Sequence, residues 1–290
     1  MTGRIGALVA ATCLVGFAPA HAQTYPTKTI TIVVPFSAGG SVDTVARLLA
    51  EKLRDSLKQN VIVDNKAGGS GMIGALAVVK AAPDGHTLLL GSAGETAINT
   101  FVYKNKMQYQ PASDLAPITL VTRIPNVLVA ANTFPVKNME ELVAYAKKNP
   151  GKLSHGTTGI GSAHHFSAAA IEALTGIDWV HVPYKSGPQV LVDMTSGQIQ
   201  VGWAIYATLA PFEKSGKVKI LGINGGQRFA KYPNIPTFSE QIPGYEPPPT
   251  WASYFGPAGL PRDIVQRLNS EMVKIVTSPD ARAKIEASGT

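Results

Sequence analysis

Two stretches of the chain share one plan, in which a short β-rich run leads through a turn of Gly, Ser and Thr into an amphipathic helix. The first stretch is Ile30 to Leu53, and the second is Lys152 to Leu174. Glycine lets the backbone come close to a ligand, and the first N–H groups of a helix have no acceptor inside it. Each turn is therefore expected to bind a carboxylate or a phosphate.

Strand and helix signals alternate along the rest of the chain as well. Between the apolar β runs, helical patterns begin at Val42, Met72, Met139, Ala163, Pro188 and Arg262. Such alternation predicts α/β layers with largely parallel sheets.

Two segments interrupt this alternation. Residues 122–126 contain Ile124-Pro125 between two apolar β runs, and residues 235–249 are rich in proline. We interpret both as crossings between two lobes. Residues 23–123 and 247–290 would then form lobe 1, residues 124–246 would form lobe 2, and a ligand would lie in the cleft between them.

The N-terminus is typical of a secretory signal peptide. Arg4 precedes an apolar run from Ile5 to Phe17, and Ala20-His21-Ala22 fits a cleavage site. The run is too short to span a bilayer. Cleavage would remove residues 1–22 with the only cysteine, Cys13, so we expect a periplasmic protein without disulfides or cysteine chemistry.

Composition argues against a nucleic-acid-binding protein. The hydrophobic fraction is 45%, the charged fraction is 16% and the formal charge is +7, with no run of five basic residues. Nucleic-acid-binding surfaces usually cluster Lys and Arg with aromatic residues, and that clustering is missing here. A mild positive field would still attract anionic solutes.

One glycine motif admits two interpretations. Gly69-Ser70-Gly71-Met72-Ile73-Gly74 is a literal G-x-G-x-x-G, and Glu95 lies near the distance expected of a ribose-binding acid. The motif, however, belongs to the second strand–helix unit, several residues after its strand, in a chain expected outside the cytoplasm. We therefore favour a tight turn that shapes the rim of the cleft over a dinucleotide site.

Histidine and serine chemistry is weakly supported. Adjacent helical residues such as His164 and His165 point about 100° apart, so they cannot share one metal with good geometry. We expect His165, rather than His164, to face the cleft as a hydrogen-bond donor. No serine lies in G-x-S-x-G. Lys185 follows a β run and is expected to be exposed more readily than bound to an anion.

The chain resembles the extracytoplasmic solute receptors of tripartite tricarboxylate transporters, also called the Bordetella uptake gene family. The likeness covers nearly the whole mature chain, and the order and spacing of its motifs are specific. The motifs are Pro35-Phe36-Ser37-Ala38-Gly39-Gly40-Ser41-Val42-Asp43 with Ala46-Arg47-Leu48-Leu49, Ala81-Ala82-Pro83-Asp84-Gly85, Pro125-Asn126-Val127-Leu128-Val129, Gly161-Ser162 with His165, His181-Val182-Pro183-Tyr184-Lys185, and Pro257-Ala258-Gly259-Leu260-Pro261.

This resemblance implies a two-lobed periplasmic-binding-protein fold of type II, in which each lobe is a mixed sheet flanked by helices. The loop from Phe36 to Asp43 and the loop from Thr157 to Ser162 would grip carboxylate oxygens, and the end of the third strand would line the floor. The ligand-binding residues expected on this basis are Phe36, Ser37, Ala38, Gly39, Gly40, Asp43, Ser92, Ala93, Thr157, Thr158, Gly161, Ser162, His165 and Ala204.

Two departures from the family pattern modify this expectation. Ala204 stands where many members have an acidic residue, which should disfavour an amino-acid ligand and leave room for an apolar or aromatic body. Members also usually continue beyond the position of Thr290 with a β run and a closing helix, so we expect a truncated or unusual C-terminus.

The sequence thus predicts a monomeric, non-catalytic periplasmic protein that binds a dicarboxylate or an aromatic carboxylate and passes it to membrane transporter subunits. No cofactor, metal or nucleic acid is expected. A ligand-sensing subunit of a membrane signalling protein would have an indistinguishable sequence. A periplasmic enzyme using the Gly69 loop or the histidines is the alternative from another class.

Overall fold

The computed structural model describes residues 25–230, 232–248 and 250–287, so the predicted signal peptide lies outside the described residues. The strands in these ranges are β1 (Ile30–Val34), β2 (Val61–Asn65), β3 (Thr87–Ser92), β4 (Leu115–Arg123), β5 (Asn126–Ala131), β6 (Leu153–Thr157), β7 (Trp179–Pro183), β8 (Val201–Ile205), β9 (Val218–Asn224) and β10 (Trp251–Pro257). The helices are α1 (Ser41–Leu57), α2 (Met72–Val79), α3 (Asn99–Val102), α4 (Pro111–Asp114), α5 (Met139–Lys148), α6 (Ala163–Thr175), α7 (Gly187–Thr195), α8 (Tyr206–Lys214), α9 (Phe238–Gln241), α10 (Arg262–Thr277) and α11 (Pro279–Ala287). Two 3₁₀ turns (Gly69–Gly71 and Lys104–Lys106) and a π-helical segment (Gly94–Ile98) complete the set.

The strands form two five-stranded sheets with the same plan. Their orders are β2-β1-β3-β10-β4 in lobe 1 and β7-β6-β8-β5-β9 in lobe 2. In each sheet the strand next to the last, β10 or β5, runs antiparallel to both of its neighbours. The α/β fold with two mixed sheets is therefore confirmed, and the largely parallel strands follow from the predicted alternation.

The antiparallel strand explains why the chain passes twice between the lobes. Lobe 1 takes β10 from the C-terminal part of the chain, whereas lobe 2 takes β5 from immediately after β4. The chain leaves lobe 1 at Ile124-Pro125 and returns through the segment between β9 and β10. These two passages place the ends of both sheets beside the same cleft.

Helices cover both faces of each sheet, and the strand sequences show why. Ile32 and Val34 of β1 pack in one core with α1 and α10, whereas Val33 packs in the core on the opposite face with α2. In β5, Leu128 and Val129 divide in the same way between two cores. A strand buried on both faces reads as a continuous apolar run, which is what these strands show.

Along the described part of the chain, no helix has both the length and the apolar character that crossing a membrane requires.

Candidate functional site

A cavity of about 490 Å³ lies between the lobes, within the usual range for small-molecule sites of about 300–1,000 Å³. Lobe 1 contributes the loop before α1, the end of β3, the 3₁₀ turn Gly69–Gly71 and the start of β10. Lobe 2 contributes the starts of α6 and α7. The lining residues are Phe36, Ser37, Ala38, Gly39, Gly40, Val42, Ser70, Ser92, Ala93, Gly94, Glu95, Ile124, Asn126, Thr158, Ser162, Ala163, His164, Lys185, Ser186, Gly187, Pro188, Ile205, Thr208, Thr250 and Trp251.

The loop of lobe 1 between β1 and α1 is fixed by the buried carboxylate of Asp43, which lies on the side of the loop away from the cavity. Asp43 accepts hydrogen bonds from the Gly39 N–H at 2.9 Å, from Asn65 Nδ2 at 2.9 Å and from Arg47 Nε at 3.0 Å. Burial opposes ionisation of Asp43, but the hydrogen bonds from Arg47, Gly39 and Asn65 outweigh it and lower the pKa of the carboxyl. Asp43 is absent from the cavity lining, so its role is to shape the loop whose backbone faces the cavity.

The loop of lobe 2 is built around the N-terminus of α6. Ser162 caps this helix by accepting a hydrogen bond from the His165 N–H at 3.2 Å, and its hydroxyl donates to the Gly159 carbonyl at 2.7 Å. Thr158 Oγ1 lies 3.1 Å from His164 Nδ1, and both residues line the cavity. His164, rather than the expected His165, therefore faces the cleft, and burial lowers its pKa to about 4, which keeps the ring neutral at pH 7.

Behind this loop lies a stack of three imidazoles that supports it from below. His181 lies 5.1 Å from His155 and 4.5 Å from His165, measured between ring centroids. Thr157 Oγ1 lies 2.6 Å from His181 Nε2, and the Gly161 N–H donates to His165 Nδ1 at 3.3 Å. Thr157, Gly161 and His165 lie outside the cavity lining, so they position the loop instead of forming its surface.

The floor of the cavity is formed where β3 ends in the π-helical segment. Ser92, Ala93 and Glu95 line it. The Glu95 side chain accepts a hydrogen bond from the Ser92 N–H and lies 2.7 Å from the Ser92 hydroxyl. Burial raises the pKa of Glu95 to about 7, and the hydrogen bonds from Ser92 oppose this shift only in part.

The glycine motif serves packing around this floor. Gly71 has a φ of +86°, and a Cβ added there would lie 2.9 Å from Glu95 Oε2. A Cβ added at Gly74 would lie 2.8 Å from the Cβ of Pro35. Ser70, between the first two glycines, lines the cavity, so the motif forms a tight turn at the cleft rim, as the sequence favoured.

The lobes contact each other across one side of the cleft. The carbonyl of Ile160 in lobe 2 accepts hydrogen bonds from Ser70 Oγ at 2.5 Å and from Tyr103 Oη at 3.1 Å in lobe 1. Asn99 Nδ2 donates to the Ser70 carbonyl at 3.0 Å, and a Cβ added at Gly161 would lie 2.3 Å from Asn99 Oδ1. The α6 loop therefore fits lobe 1 only because residue 161 has no side chain.

The opposite wall carries a cation and an apolar surface. Lys185, just before α7, is exposed and lines the cavity, so it is available to an anionic ligand. Phe36, Ile205 and Trp251 add apolar surface from both lobes. The sequence signal for Lys185 was its position between a strand end and a helix start, a place where side chains point into clefts in α/β folds.

The residues expected from the family resemblance divide into three groups. Those that line the cavity are Phe36, Ser37, Ala38, Gly39, Gly40, Ser92, Ala93, Thr158 and Ser162. Those that lie behind the lining and hold its loops are Asp43, Thr157, Gly161 and His165. The remaining residue, Ala204, does neither.

Ala204 corrects one expectation. It is fully buried, pairs with Val127 inside the sheet of lobe 2 and packs in a core with Val190 and Leu209. It lies one residue before the end of β8, and only the last residue, Ile205, reaches the cavity. Ala204 therefore neither faces a ligand nor opens space for an apolar body.

Comparison with known proteins agrees with this architecture. Residues 45–290 match the model of the tripartite tricarboxylate transporter family receptor. BugT of Bordetella pertussis is 32% identical over 93% of this chain and 82% of its own length. The R. palustris protein Rpa4515, solved with adipate, superposes with a TM-score of 0.85 at 33% identity, covering 91% of this chain and 88% of that one. MatC from Rhodopseudomonas palustris, solved with bound malate, gives a TM-score of 0.83 at 32% identity, covering 91% and 90%. The chain therefore belongs to the family of tripartite tricarboxylate transporter receptors, the Bordetella uptake gene proteins.

Proposed function

We propose that the cavity captures a small dicarboxylate or aromatic carboxylate in the periplasm, and that the chain passes it unchanged to the membrane subunits of a tripartite tricarboxylate transporter. The family is a family of solute receptors, and two structural neighbours were solved with adipate and with malate. We further propose that the chain acts as a monomer and catalyses no reaction.

One observation carries this proposal: the N-termini of α1 and α6, from opposite lobes, border the same cavity. The first N–H groups of each helix have no intrahelical acceptor, and the helix dipole adds partial positive charge there. A carboxylate at either end would accept several charge-assisted hydrogen bonds. A ligand with a carboxylate near each end would therefore hold the two lobes together.

The remaining lining specifies the body of the ligand. Lys185 would pair with an anionic oxygen on the lobe 2 side, whereas Phe36, Ile205 and Trp251 would contact a carbon chain or ring. The histidines are already engaged, since His164 bonds Thr158 and the other rings support the loop behind it. This use of the histidines favours binding over catalysis.

A thermal-shift screen of residues 23–290 tests the proposal. The panel contains adipate, malate, succinate, terephthalate, benzoate, citrate, L-aspartate and L-glutamate. A ligand at about 100 times its Kd adds roughly 2.7 kcal/mol of stability, which raises Tm by about 5–11 °C for a protein of this size. A shift confined to one class of carboxylate is the expected result.

Lys185→Met is the matched variant, because it removes one cation from the cavity wall and leaves the fold intact. Its thermal shift with the selected carboxylate should be smaller than that of the wild-type protein. Refolded, ligand-free protein that responds to no carboxylate in the panel would contradict the proposal, as would a shift caused equally by acids and by neutral analogues such as adipamide.

A further inference from the structure

A carboxyl group lies buried on the floor of a cavity that we propose to bind carboxylates. The relative solvent exposure of Glu95 is 0%, and Glu95 is one of the residues that line the cavity. Glycines on two sides leave room for the group: an added Cβ would lie 2.9 Å from Oε2 at Gly71 and 3.0 Å from Oε1 at Gly91. The backbone is thus shaped around this side chain.

Among the residues that the structure describes, the elements packed against Glu95 bring no cation to it. The 3₁₀ turn at residues 69–71, α2, α3 and β3 contain no titratable side chain. Asp114 of α4 accepts hydrogen bonds from the Gln110 N–H and the Ser113 hydroxyl instead. Tyr109 donates its hydroxyl hydrogen to the Glu95 backbone carbonyl at 2.6 Å.

Across the cavity, the titratable groups in the lining are His164 and Lys185. His164 is kept neutral by burial, and Lys185 is exposed to solvent. A carboxylate at Glu95 would therefore be buried without a neighbouring counter-charge among the described residues. Desolvation favours the acid form of such a group and raises its pKa to about 7.

The protonation state of Glu95 decides what Ser92 presents to the cavity. A serine hydroxyl has one hydrogen to donate and two lone pairs. One lone pair of Ser92 Oγ faces the Gly94 N–H at 3.3 Å, and Glu95 Oε2 lies 2.7 Å away. If Glu95 is ionised, the hydroxyl hydrogen goes to Oε2, and a lone pair is left for the ligand. If Glu95 is protonated, its own hydrogen occupies that lone pair, and the Ser92 hydroxyl is free to donate to the ligand.

We propose that Glu95 is a specificity-determining residue, which in its acid form turns the Ser92 hydroxyl toward the cavity to donate a hydrogen bond to an anionic ligand oxygen. Binding of a carboxylate is then coupled to the uptake of one proton by the protein. This inference rests on the proposed function of the cavity. The ligand atom that meets Ser92 at the floor is then a deprotonated oxygen. While Glu95 is protonated, Ser92 Oγ has no lone pair left to accept a hydrogen bond from an ammonium or a hydroxyl group of the ligand.

Proton uptake is measured by isothermal titration with adipate, malate and benzoate at pH 6.0, 7.0, 8.0 and 8.5. Experiments in HEPES and in Tris, whose ionisation enthalpies differ, give the number of protons taken up. We expect close to one proton at pH 8, with Kd rising toward tenfold per pH unit above the pKa of free Glu95. A Kd constant within twofold across this range, with no proton uptake, would overturn the proposal.

Glu95→Gln copies the acid form, since its amide nitrogen donates to Ser92 Oγ and its oxygen accepts from the Ser92 N–H. This variant should bind with a Kd independent of pH and close to the low-pH value of the wild-type protein. Glu140→Gln, on the exposed face of α5, is the control and should retain the wild-type pH dependence. A Kd that still depends on pH in the Glu95→Gln variant would refute the assignment of this dependence to Glu95.

A ligand-free measurement separates this inference from the proposed function. In protein labelled with ¹³C at glutamate side-chain carboxyls, the resonance missing from the Glu95→Gln variant should titrate near pH 7. A midpoint near 4 would refute the inference even if carboxylates bind. Failure of all three acids to bind would count against the proposed function, and the carbon titration would still decide the state of Glu95.

Discussion

Replacing Gly161 with alanine should weaken ligand binding because it separates the lobes. Gly161 has a φ of +82°, and its added Cβ would lie 2.3 Å from Asn99 Oδ1. An ordinary contact begins near 3.4 Å, so the two groups must move apart by 3.4 − 2.3, or 1.1 Å. Asn99 is fully buried and bonded to the Ser70 carbonyl, so the α6 loop is the part that must move.

That movement removes the hydrogen bonds that Ser70 and Tyr103 donate to the Ile160 carbonyl. Each is a neutral hydrogen bond, with a net contribution of about 0.5–1.5 kcal/mol. The arrangement in which the lobes touch therefore loses about 1–3 kcal/mol relative to a separated one. If the ligand binds between touching lobes, Kd should rise by about 5-fold to 150-fold.

The backbone strain of the substitution needs its own control. Gly197 has a φ of +86° and lies in the turn after α7, and no atom of the described ranges lies within 4 Å of an added Cβ. Alanine in the left-handed region costs about 1–2 kcal/mol at either position. In urea unfolding both variants should lose this strain energy, and Gly161→Ala should lose in addition the energy of the contact between the lobes. Only Gly161→Ala should lose affinity in isothermal titration with the carboxylate selected by the thermal-shift screen.

Two results would refute this reasoning. One is an unchanged Kd for Gly161→Ala, which would show that the contact between Ile160 and lobe 1 is not part of the ligand-bound state. The other is an equal loss of affinity in Gly197→Ala, which would assign the effect to backbone strain in lobe 2.

Three further perturbations test other parts of the site. Lys185→Met should raise the Kd for a carboxylate by about 10-fold to 150-fold, since charge-assisted hydrogen bonds contribute about 1.5–3 kcal/mol, and Lys185→Arg should restore much of the loss in the same titration. Ala204→Asp should lower stability by several kcal/mol by burying an unpaired carboxylate, and a stable variant with altered ligand preference would show that the residue faces the cavity after all. Acidification should destabilise the fold, because burial lowers the pKa of His164 and His181 to about 4, so the unfolded chain binds more protons; their contribution is complete above pH 6.5 and is lost as pH falls toward 4. Urea unfolding of the Glu95→Gln variant from pH 7.5 to 4.5 isolates the effect of the two histidines, because wild-type Glu95, with its raised pKa, stabilises the fold as the pH falls. A free energy of unfolding that stays constant over this range would contradict the prediction.

Local sequence patterns were sufficient to predict the elements and the fold class. The apolar runs of β1 and β5 and the helix starts at Met72, Met139 and Ala163 were predicted from periodicity, and the structure confirms them. These signals are local because hydrogen bonding and burial of one element depend on residues a few positions apart. The loops before α1 and α6 were recognised for the same reason, since their glycines and caps are contiguous in the chain.

Which residues near those loops reach the cavity depends on how the helices and strands pack against one another. His164 and His165 are neighbours in the sequence, yet the packing of α6 turns the first to the cavity and the second to the imidazole stack. Ala204 and Ile205 are also neighbours, yet Ala204 packs in a core of lobe 2, whereas Ile205, the last residue of β8, lines the cavity. Which of two neighbouring residues faces the cavity depends on how their helix or strand packs against the rest of the fold. The sequence of that helix or strand does not encode this packing.

Glu95 shows this division most clearly. The sequence places it downstream of a glycine motif, where spacing alone indicates a ribose-binding acid. In the fold, Gly71 and Gly91 close around its carboxyl, and Ser92 links it to the cavity. The sequence shows that an acid and a set of glycines are present. What this acid can do depends on the fold, which removes the carboxyl from water and places it beside the hydroxyl of a serine.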